Sequence, residues 1–134
     1  MKVATIRIGL PIATIVLGAI VFSAYVQAGK VIDGGKAEEF KGKTFDLKEK
    51  TKAAITLTFP AGKEASITVR GEKKTDIYLF VYDAAKKLVG KDDSPGPNCD
   101  LTFTPKEAGP YTVGIRNLGP GENRATLKVA IGKK

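Results

Sequence analysis

The segment that decides the fold is Thr75 to Asp83, which reads TDIYLFVYD and encloses a run of apolar and aromatic residues between two aspartates. Side chains of a strand point alternately to its two faces. The aliphatic residues therefore share one face and the aromatic residues share the other; the two sets are Ile77, Leu79 and Val81, and Tyr78, Phe80 and Tyr82. Because both faces are apolar, this strand is either covered on two sides or has an adhesive outer face.

The aromatic row allows two interpretations. Rows of large aromatic side chains are more often buried than exposed, so we expect the aromatics to face the interior, with the aliphatic face covered by the N-terminal lead-in. In the other arrangement the row faces outward. Its side chains, about 6.6 Å apart, could then stack on the rings of a polymer or hold an extended peptide. Tyr78, Phe80 and Tyr82 are accordingly the candidate polymer-binding residues.

The rest of the chain beyond residue 50 repeats the same two-residue alternation between turn signals. Ile55, Leu57 and Phe59 alternate with threonines, and further alternating segments recur every 8 to 12 residues or so, separated by Pro, Gly, Asn and Asp. No window after the N-terminal segment has helical periodicity, so a parallel sheet with helical crossovers is excluded. The pattern predicts an all-β protein, a small antiparallel, jelly-roll-like β-sandwich of about seven or eight strands.

The chain divides into three parts. Residues 1–28 have a basic start, a long uncharged stretch and small residues before position 29, which predicts a secretory signal peptide cleaved after Ala28. A retained membrane anchor is the alternative, since the apolar stretch is close to the ~20 residues that span a bilayer. Residues 29–50 form a polar lead-in with a candidate edge strand at Phe45 to Leu47, and residues 51–134 form the sandwich. We expect a secreted, periplasmic or cell-envelope protein.

The composition excludes several function classes. The chain has no histidine and a single cysteine, Cys99. It therefore lacks the residues for a histidine general base, a thiol-imidazole pair or a zinc site, and we expect that the protein is not an enzyme. We expect Cys99 to be a small apolar strand residue, because an internal disulfide needs a second cysteine. Without Lys2 and Arg7 the formal net charge falls from +8 to +6. The basic residues are not interleaved with aromatic residues and we expect the chain to be exported, which argues against nucleic-acid binding. The basic residues either bind anionic polymers of the cell envelope or form an ordinary solvated surface.

An acidic loop is the candidate metal site. Asp92, Asp93, Asn98 and Asp100 offer oxygen ligands within nine residues, and Asp76 could add another if the loop folds over the neighbouring strand end. Calcium prefers six to eight such oxygens, although the spacing is not that of an EF-hand. The alternative is that these side chains bond their own backbone in turns. Calcium is therefore the one cofactor that we consider.

The order of these segments resembles a known family. The Asp76 to Asp83 strand, the acidic loop, Ala108 to Val113, Asn117 and a final strand at Leu127 to Val129 are similar to the bacterial pre-peptidase C-terminal domain, whose relatives include collagen-binding modules. The resemblance covers roughly Thr51 to Gly132. It implies a jelly-roll-like sandwich that acts as a non-catalytic accessory module of secreted peptidases.

These observations predict an exported binding module for an extracellular protein or polysaccharide, assisted by calcium if the acidic loop binds it. A secreted peptidase is a further candidate partner. We expect the protein to be a monomer or a weak homo-oligomer and not to bind nucleic acid. We expect it to contact a membrane only if the signal segment is not cleaved. The alternative is a structural subunit of the cell envelope that self-associates through a strand edge or an apolar face. A chaperone or inhibitor of a peptidase is a third role.

Overall fold

A computed structural model describes residues 31–132, which form nine strands and one short 3-10 turn, Ala37–Glu39. The strands are β1 (Val31–Lys36), β2 (Lys43–Leu47), β3 (Thr51–Phe59), β4 (Ala65–Gly71), β5 (Asp76–Tyr82), β6 (Leu88–Asp92), β7 (Asn98–Phe103), β8 (Gly109–Gly119) and β9 (Asn123–Ile131). The predicted signal peptide lies outside the described residues. Within residues 31–132 there is no helix with the length and apolar character needed to span a bilayer.

The strands form two sheets with a jelly-roll topology. One sheet has the order β1-β3-β8-β5-β6 and the other has the order β2-β9-β4-β7. Apart from β1, the chain is wound as a folded-over hairpin in which β2 pairs with β9, β3 with β8, β4 with β7 and β5 with β6, all antiparallel. This nesting is the jelly-roll arrangement. The predicted antiparallel sandwich is therefore confirmed.

The alternation predicted from the sequence determines which side chains form the core. Ile55, Leu57 and Phe59 on β3 are fully buried, whereas Thr58 between them is exposed. The same alternation continues through β2, β4, β5, β8 and β9. The large fully buried side chains are Phe45, Phe59, Leu47, Ile55, Leu57, Ile67, Ile77, Leu79, Ile115, Leu127, Val69 and Val81. Because they come from both sheets, the core is the layer between the two inner faces.

The polar lead-in contributes a strand to each sheet. β2 lies at the edge of the four-stranded sheet, as predicted for Phe45 to Leu47, and buries both Phe45 and Leu47. β1 forms the edge of the five-stranded sheet and is parallel to β3. Gly34 in β1 packs so closely on Ile55 and Leu57 that a Cβ there would lie 2.5 Å from each side chain. The segment before residue 51 is thus part of the sandwich.

The expected orientation of β5 is wrong. Ile77, Leu79 and Val81 face the interior with no exposed surface, and the aromatic residues of β5 are half-buried on the outer face. The reason is the register with β8, which pairs Leu79 with Ile115 and Val81 with Val113. Since cross-strand partners share a face, the branched aliphatic residues of both strands enter the core together and the aromatics are directed outward.

Two buried asparagines hold the loops at one end of the sandwich. The Asn117 side chain donates to the carbonyls of Leu47 and Gly121, at 3.0 and 2.9 Å, and accepts from the Gly119 amide at 3.0 Å. Asn123 donates to the Lys73 carbonyl and accepts from its amide, both at 2.9 Å. Asn117 thus satisfies the buried carbonyl of Leu47 and the buried amide of Gly119, and Asn123 holds the backbone of the turn before β5.

We expect Asn117→Ala to lower the free energy of unfolding by about 2 to 4 kcal/mol, because each buried polar group that loses its partner costs roughly 1 to 3 kcal/mol. Urea unfolding followed by circular dichroism measures the change. Asn98→Ala is the control, since Asn98 is exposed on β7, and it should stay within about 0.5 kcal/mol of the wild type. Equal losses in the two variants would contradict the bracing role of Asn117.

Candidate functional site

The outer face of the five-stranded sheet presents three rows of side chains across β3, β8 and β5. Cross-strand pairing aligns each residue of β8 with one residue on either side. We name these the basic row (Lys52, Arg116, Tyr78), the open row (Ala54, Gly114, Phe80) and the hydroxyl row (Thr56, Thr112, Tyr82). The rows are about 6.6 Å apart along the strands.

The three aromatic residues of β5 form a continuous ridge along one side of this face. The ring centroids of Tyr78 and Phe80 are 6.1 Å apart in an edge-to-face arrangement, and those of Phe80 and Tyr82 are 6.4 Å apart with an interplanar angle of 26°. Such contacts stabilise the rings against one another. This aromatic ridge is therefore an ordered element of the surface.

A trough runs beside the aromatic ridge, over β8 and β3. It has a volume of about 300 Å³, and Val31 of β1 lines it together with Phe80 and Tyr82. The open row forms its floor, because Ala54 and Gly114 leave little or no side chain above the backbone. The trough thus exists because two small residues lie next to an aromatic row.

Gly114 is not required by the backbone. It lacks the positive φ that demands glycine elsewhere in the chain, and a Cβ at this position would meet only the Ala53 carbonyl oxygen, at 3.9 Å. A glycine in the interior of a strand is destabilising by roughly 0.5–1 kcal/mol relative to alanine. Such a glycine often marks a bulge, a tight bend or a place where a ligand or another backbone approaches closely.

Lys52 and Arg116 form a concentration of positive charge at one end of the trough. They face each other directly in the β3 and β8 pairing, and both are exposed. Neither forms an ion pair with a carboxylate of residues 31–132. Like charges directly opposite each other destabilise a sheet, so we expect this pair to lower the stability of the free protein.

The outer face of the four-stranded sheet has a different character. Its arginines are paired, with 2.8 Å between Arg70 and Asp100 and 2.7 Å between Arg124 and Asp46. Thr44 and Thr126 share a hydrogen bond of 3.0 Å across β2 and β9. This face is polar and both of its arginines are paired, whereas the trough face combines aromatic surface with the facing cations Lys52 and Arg116.

Four of the five residues of the predicted calcium site, the aspartates, are engaged in contacts within the protein. Asp92 accepts hydrogen bonds from the Ser94 and Asp100 amides, and these bonds, together with one from the Ser94 hydroxyl, lower its pKa although its partial burial acts in the opposite direction. Asp76 accepts from the Gly96 amide. Asp93 pairs with Lys91 and Asp100 with Arg70, while Asn98 is exposed on β7.

The bond between Asp92 and the Ser94 amide is of the kind that the turn alternative predicts, whereas Asp93 and Asp100 are held in ion pairs. The structure does not bring the five residues into one cluster, and no group of three or more Asp, Glu, Cys or His side chains in residues 31–132 is arranged to hold a metal ion. Calcium binding stays a prediction that the geometry does not support.

Cys99 is a free, buried residue of β7. Its thiol donates to the Ile77 carbonyl at 3.1 Å. Burial raises the pKa of the Cys99 thiol to about 12, with a further contribution from the nearby Asp92 and Asp100 carboxylates. The thiol is therefore protonated and unreactive at neutral pH, in agreement with the role expected for it.

A second, wider recess lies at the end of the sandwich, between the turn after β5 and the loop before β8. It has a volume of about 660 Å³ and is lined by Leu88, Val89, Phe103 and Lys106 among others. Most of its surface comes from turn and loop residues. It lacks the ordered rows of the trough, and we regard the trough as the candidate site.

Comparison with known proteins supports the fold. Neither a protein-family model nor a curated protein sequence matches the chain. The pre-peptidase C-terminal domain of a collagenase from Bacillus anthracis matches with a TM-score of 0.59 and 14% identity, over 75% of this chain and 95% of that domain. The chain thus shares the fold of that domain.

Two other solved structures have the same fold. CorA, a surface-associated copper-binding protein of Methylomicrobium album BG8, matches with a TM-score of 0.60 and 12% identity, over 79% of this chain and all of CorA. PliG of Aeromonas hydrophila, a periplasmic inhibitor of g-type lysozyme, matches with a TM-score of 0.52 and 12% identity, over 79% of this chain and 99% of PliG.

Sequence reasoning selected the aromatic ridge but missed the other side of the trough. Lys52, Arg116, Gly114 and Ala54 were not among the candidate residues. A parity argument could have found them, because Lys52 and Ala54 alternate with the buried face of β3, and Arg116 and Gly114 alternate with the buried face of β8. That these residues lie beside the aromatics depends on the strand order.

We expect Leu79→Ala to lower the free energy of unfolding by about 2 to 5 kcal/mol, because it leaves a cavity in the core. Tyr78→Ala and Tyr82→Ala, on the outer face of the same strand, should each cost about 1 kcal/mol through the lost ring contacts. Guanidinium unfolding of the three variants measures these differences. Losses for the tyrosine variants as large as that for Leu79→Ala would contradict the orientation of β5.

Proposed function

We propose that this protein is an exported, non-catalytic binding module that holds an extended polymer in the trough of its five-stranded sheet. The predicted signal peptide supports export, as do the periplasmic and surface-associated locations of two proteins with the same fold. The fold likeness and the segment order described above support a distant relationship to pre-peptidase C-terminal domains. The absence of histidine from the chain and the burial of Cys99 favour binding over catalysis.

The observation that carries this proposal is Gly114. A Cβ would fit at this position and alanine would improve the strand, yet the position is occupied by glycine on the trough floor. Departures from local stability rules tend to occur at functional sites. The simplest reason for this one is that a ligand approaches the sheet over Gly114.

The chemistry of the trough suits a chain-like ligand that has both apolar and polar surfaces. The aromatic ridge offers ring faces and edges along the strand, and these pack against apolar faces of the ligand. The hydroxyls of Thr112 and Tyr82 offer hydrogen bonds at one end, and the basic row offers charge at the other. The trough runs along the strands and is open, so it accommodates a segment of a longer polymer.

We expect the purified protein to be retained by at least one of four immobilised probes, namely fibrous collagen, chitin, peptidoglycan and polygalacturonate. Gly114→Val, which fills the trough, and Phe80→Ala, which interrupts the aromatic ridge, should each weaken retention about tenfold, equivalent to roughly 1.4 kcal/mol of binding energy. Pull-down with densitometry across a concentration series measures the change.

Ala130→Val is the control for Gly114→Val, because Ala130 is exposed on β9 of the opposite sheet. It should bind like the wild type. Gly114→Val should also be at least as stable as the wild type in thermal unfolding, so that weaker retention cannot be attributed to misfolding. Retention unchanged in both trough variants, or no retention of the wild type by any probe, would contradict the proposal.

The alternative, a self-assembling envelope subunit, is favoured by a separate observation. In residues 31–132 the exposed large hydrophobic side chains are Val31, at 62% exposure, Leu88, at 43%, and Val89, at 39%. Val31 is on β1 and the other two are on β6, which are the two edges of the same sheet. A translated copy would place its β1 antiparallel to β6 of the first, and repetition of such a contact would form a filament.

Size-exclusion chromatography with light scattering tests the alternative. Assembly predicts multimers whose mass grows with protein concentration and which Leu88→Lys converts to monomers, because charged side chains protect strand edges from pairing. Thr102→Lys, on an exposed edge position of the other sheet, is the control and should leave the multimers intact. A wild-type monomer at all concentrations would contradict the assembly role.

A further inference from the structure

The charge of the trough indicates which polymer it binds. The outward side chains of the three rows include two cations, Lys52 and Arg116, and no carboxylate. On the neighbouring edge strand β1, the exposed Asp33 lies beside Thr56 of the hydroxyl row. Nearby on β6, Lys91 is paired with Asp93 at 3.1 Å. Within the three rows, the positive charge is thus confined to the basic row.

The arrangement of the two cations favours an anion between them. Lys52 and Arg116 are opposite each other on adjacent strands, where like charges repel. A carboxylate bound between the two side chains would remove this repulsion, and an arginine can hold it through two parallel hydrogen bonds. The same pair of residues that costs stability in the free protein therefore becomes favourable when an acidic group is bound.

The floor of the trough distinguishes a polysaccharide from a peptide. β3, β8 and β5 are each paired on both sides, so their backbone N–H and C=O groups are used within the sheet. A peptide lying on this face would find few partners for its own backbone groups, which carry a donor and an acceptor at nearly every residue, and it could not add a strand at a free edge. A sugar ring has apolar faces, which suit the aromatic ridge, and hydroxyls at its rim, which suit the hydroxyl row.

Extending the proposed function, on which this inference rests, we propose that the polymer is an acidic polysaccharide and that Lys52 and Arg116 bind the carboxylate of one of its uronic acid residues. The basic row lies about 6.6 Å from Phe80 along the strands, so one sugar ring can lie over the open row while its carboxylate reaches the cations. Binding is an ionic contact added to stacking, and no covalent step is involved.

Isothermal titration of the purified protein with soluble polygalacturonate and alginate tests this inference, with methyl-esterified polygalacturonate as a neutral probe of the same backbone and poly-L-glutamate as an acidic peptide. We expect binding to at least one polyuronate that weakens as sodium chloride is raised. The ester should bind more than about tenfold more weakly, because it lacks the carboxylate and a hydrogen bond to a charged group is among the strongest that a site can make. Poly-L-glutamate should also bind more than about tenfold more weakly, because it has no sugar ring to stack on the aromatic ridge and its backbone groups find few partners on this face.

The variant Lys52→Gln/Arg116→Gln should bind the polyuronate more than about tenfold more weakly. Its melting temperature should equal or exceed that of the wild type, because the repulsion between the two cations is gone. Lys106→Gln/Lys128→Gln removes the same net charge from exposed positions away from the basic row, and its affinity should change less than about threefold.

The outcomes separate this inference from the proposed function. The assignment of an acidic polysaccharide would be overturned if the ester or poly-L-glutamate bound as tightly as the polyuronate. It would also be overturned if the Lys106→Gln/Lys128→Gln control lost as much affinity as the basic-row variant, or if neither polyuronate bound. If Phe80→Ala and Gly114→Val still abolish binding of another polymer in those cases, the trough remains the binding site. If both trough variants bind a polyuronate like the wild type, the proposed function fails together with this inference.

Discussion

The register between β8 and its two neighbours is the constraint on which the rest of the structure depends. β8 lies at the centre of the five-stranded sheet and pairs with β3 over nine residue pairs and with β5 on the other side. Because side chains alternate with a period of two, a shift by one residue would turn every aliphatic side chain of a strand out of the core. Burial of Val113 and Ile115 therefore determines the orientation of both neighbouring strands.

The same register creates the outer surface. Once Val113 and Ile115 face inward, Thr112, Gly114 and Arg116 must face outward, and their partners on β5 are the aromatic residues. The same strands thus bury one face in the core and form the floor of the trough with the other. Its two costly features are a glycine in a strand interior and two cations facing each other, and both lie where side-chain choice is free of core packing. Natural sequences tolerate such local costs where binding benefits from them.

The structural likenesses indicate how little the fold alone says about function. A domain of a collagenase, a lysozyme inhibitor and a copper-binding surface protein share this sandwich at 12–14% identity. A jelly roll buries one face of each sheet and leaves the two outer faces and the loops free to vary. In this chain the two outer faces differ sharply, since one has paired arginines and the other has aromatic rings beside unpaired cations.

The sequence by itself determined the all-β class, the existence of short strands between turn signals and the alternation of Ile55, Leu57 and Phe59 on β3, because alternation is a local property that each strand carries in its own residues. It did not determine the orientation of β5, whose two faces are both apolar and satisfy the same pattern either way round. It also did not show that Lys52, Arg116 and Gly114 lie beside the aromatic residues of β5, because these positions are distant in sequence and come together only when the strands pair. Only the tertiary structure decided these points, because strand order and register are long-range pairings, and the free energy that selects them comes from how the two sheets fill the layer between them.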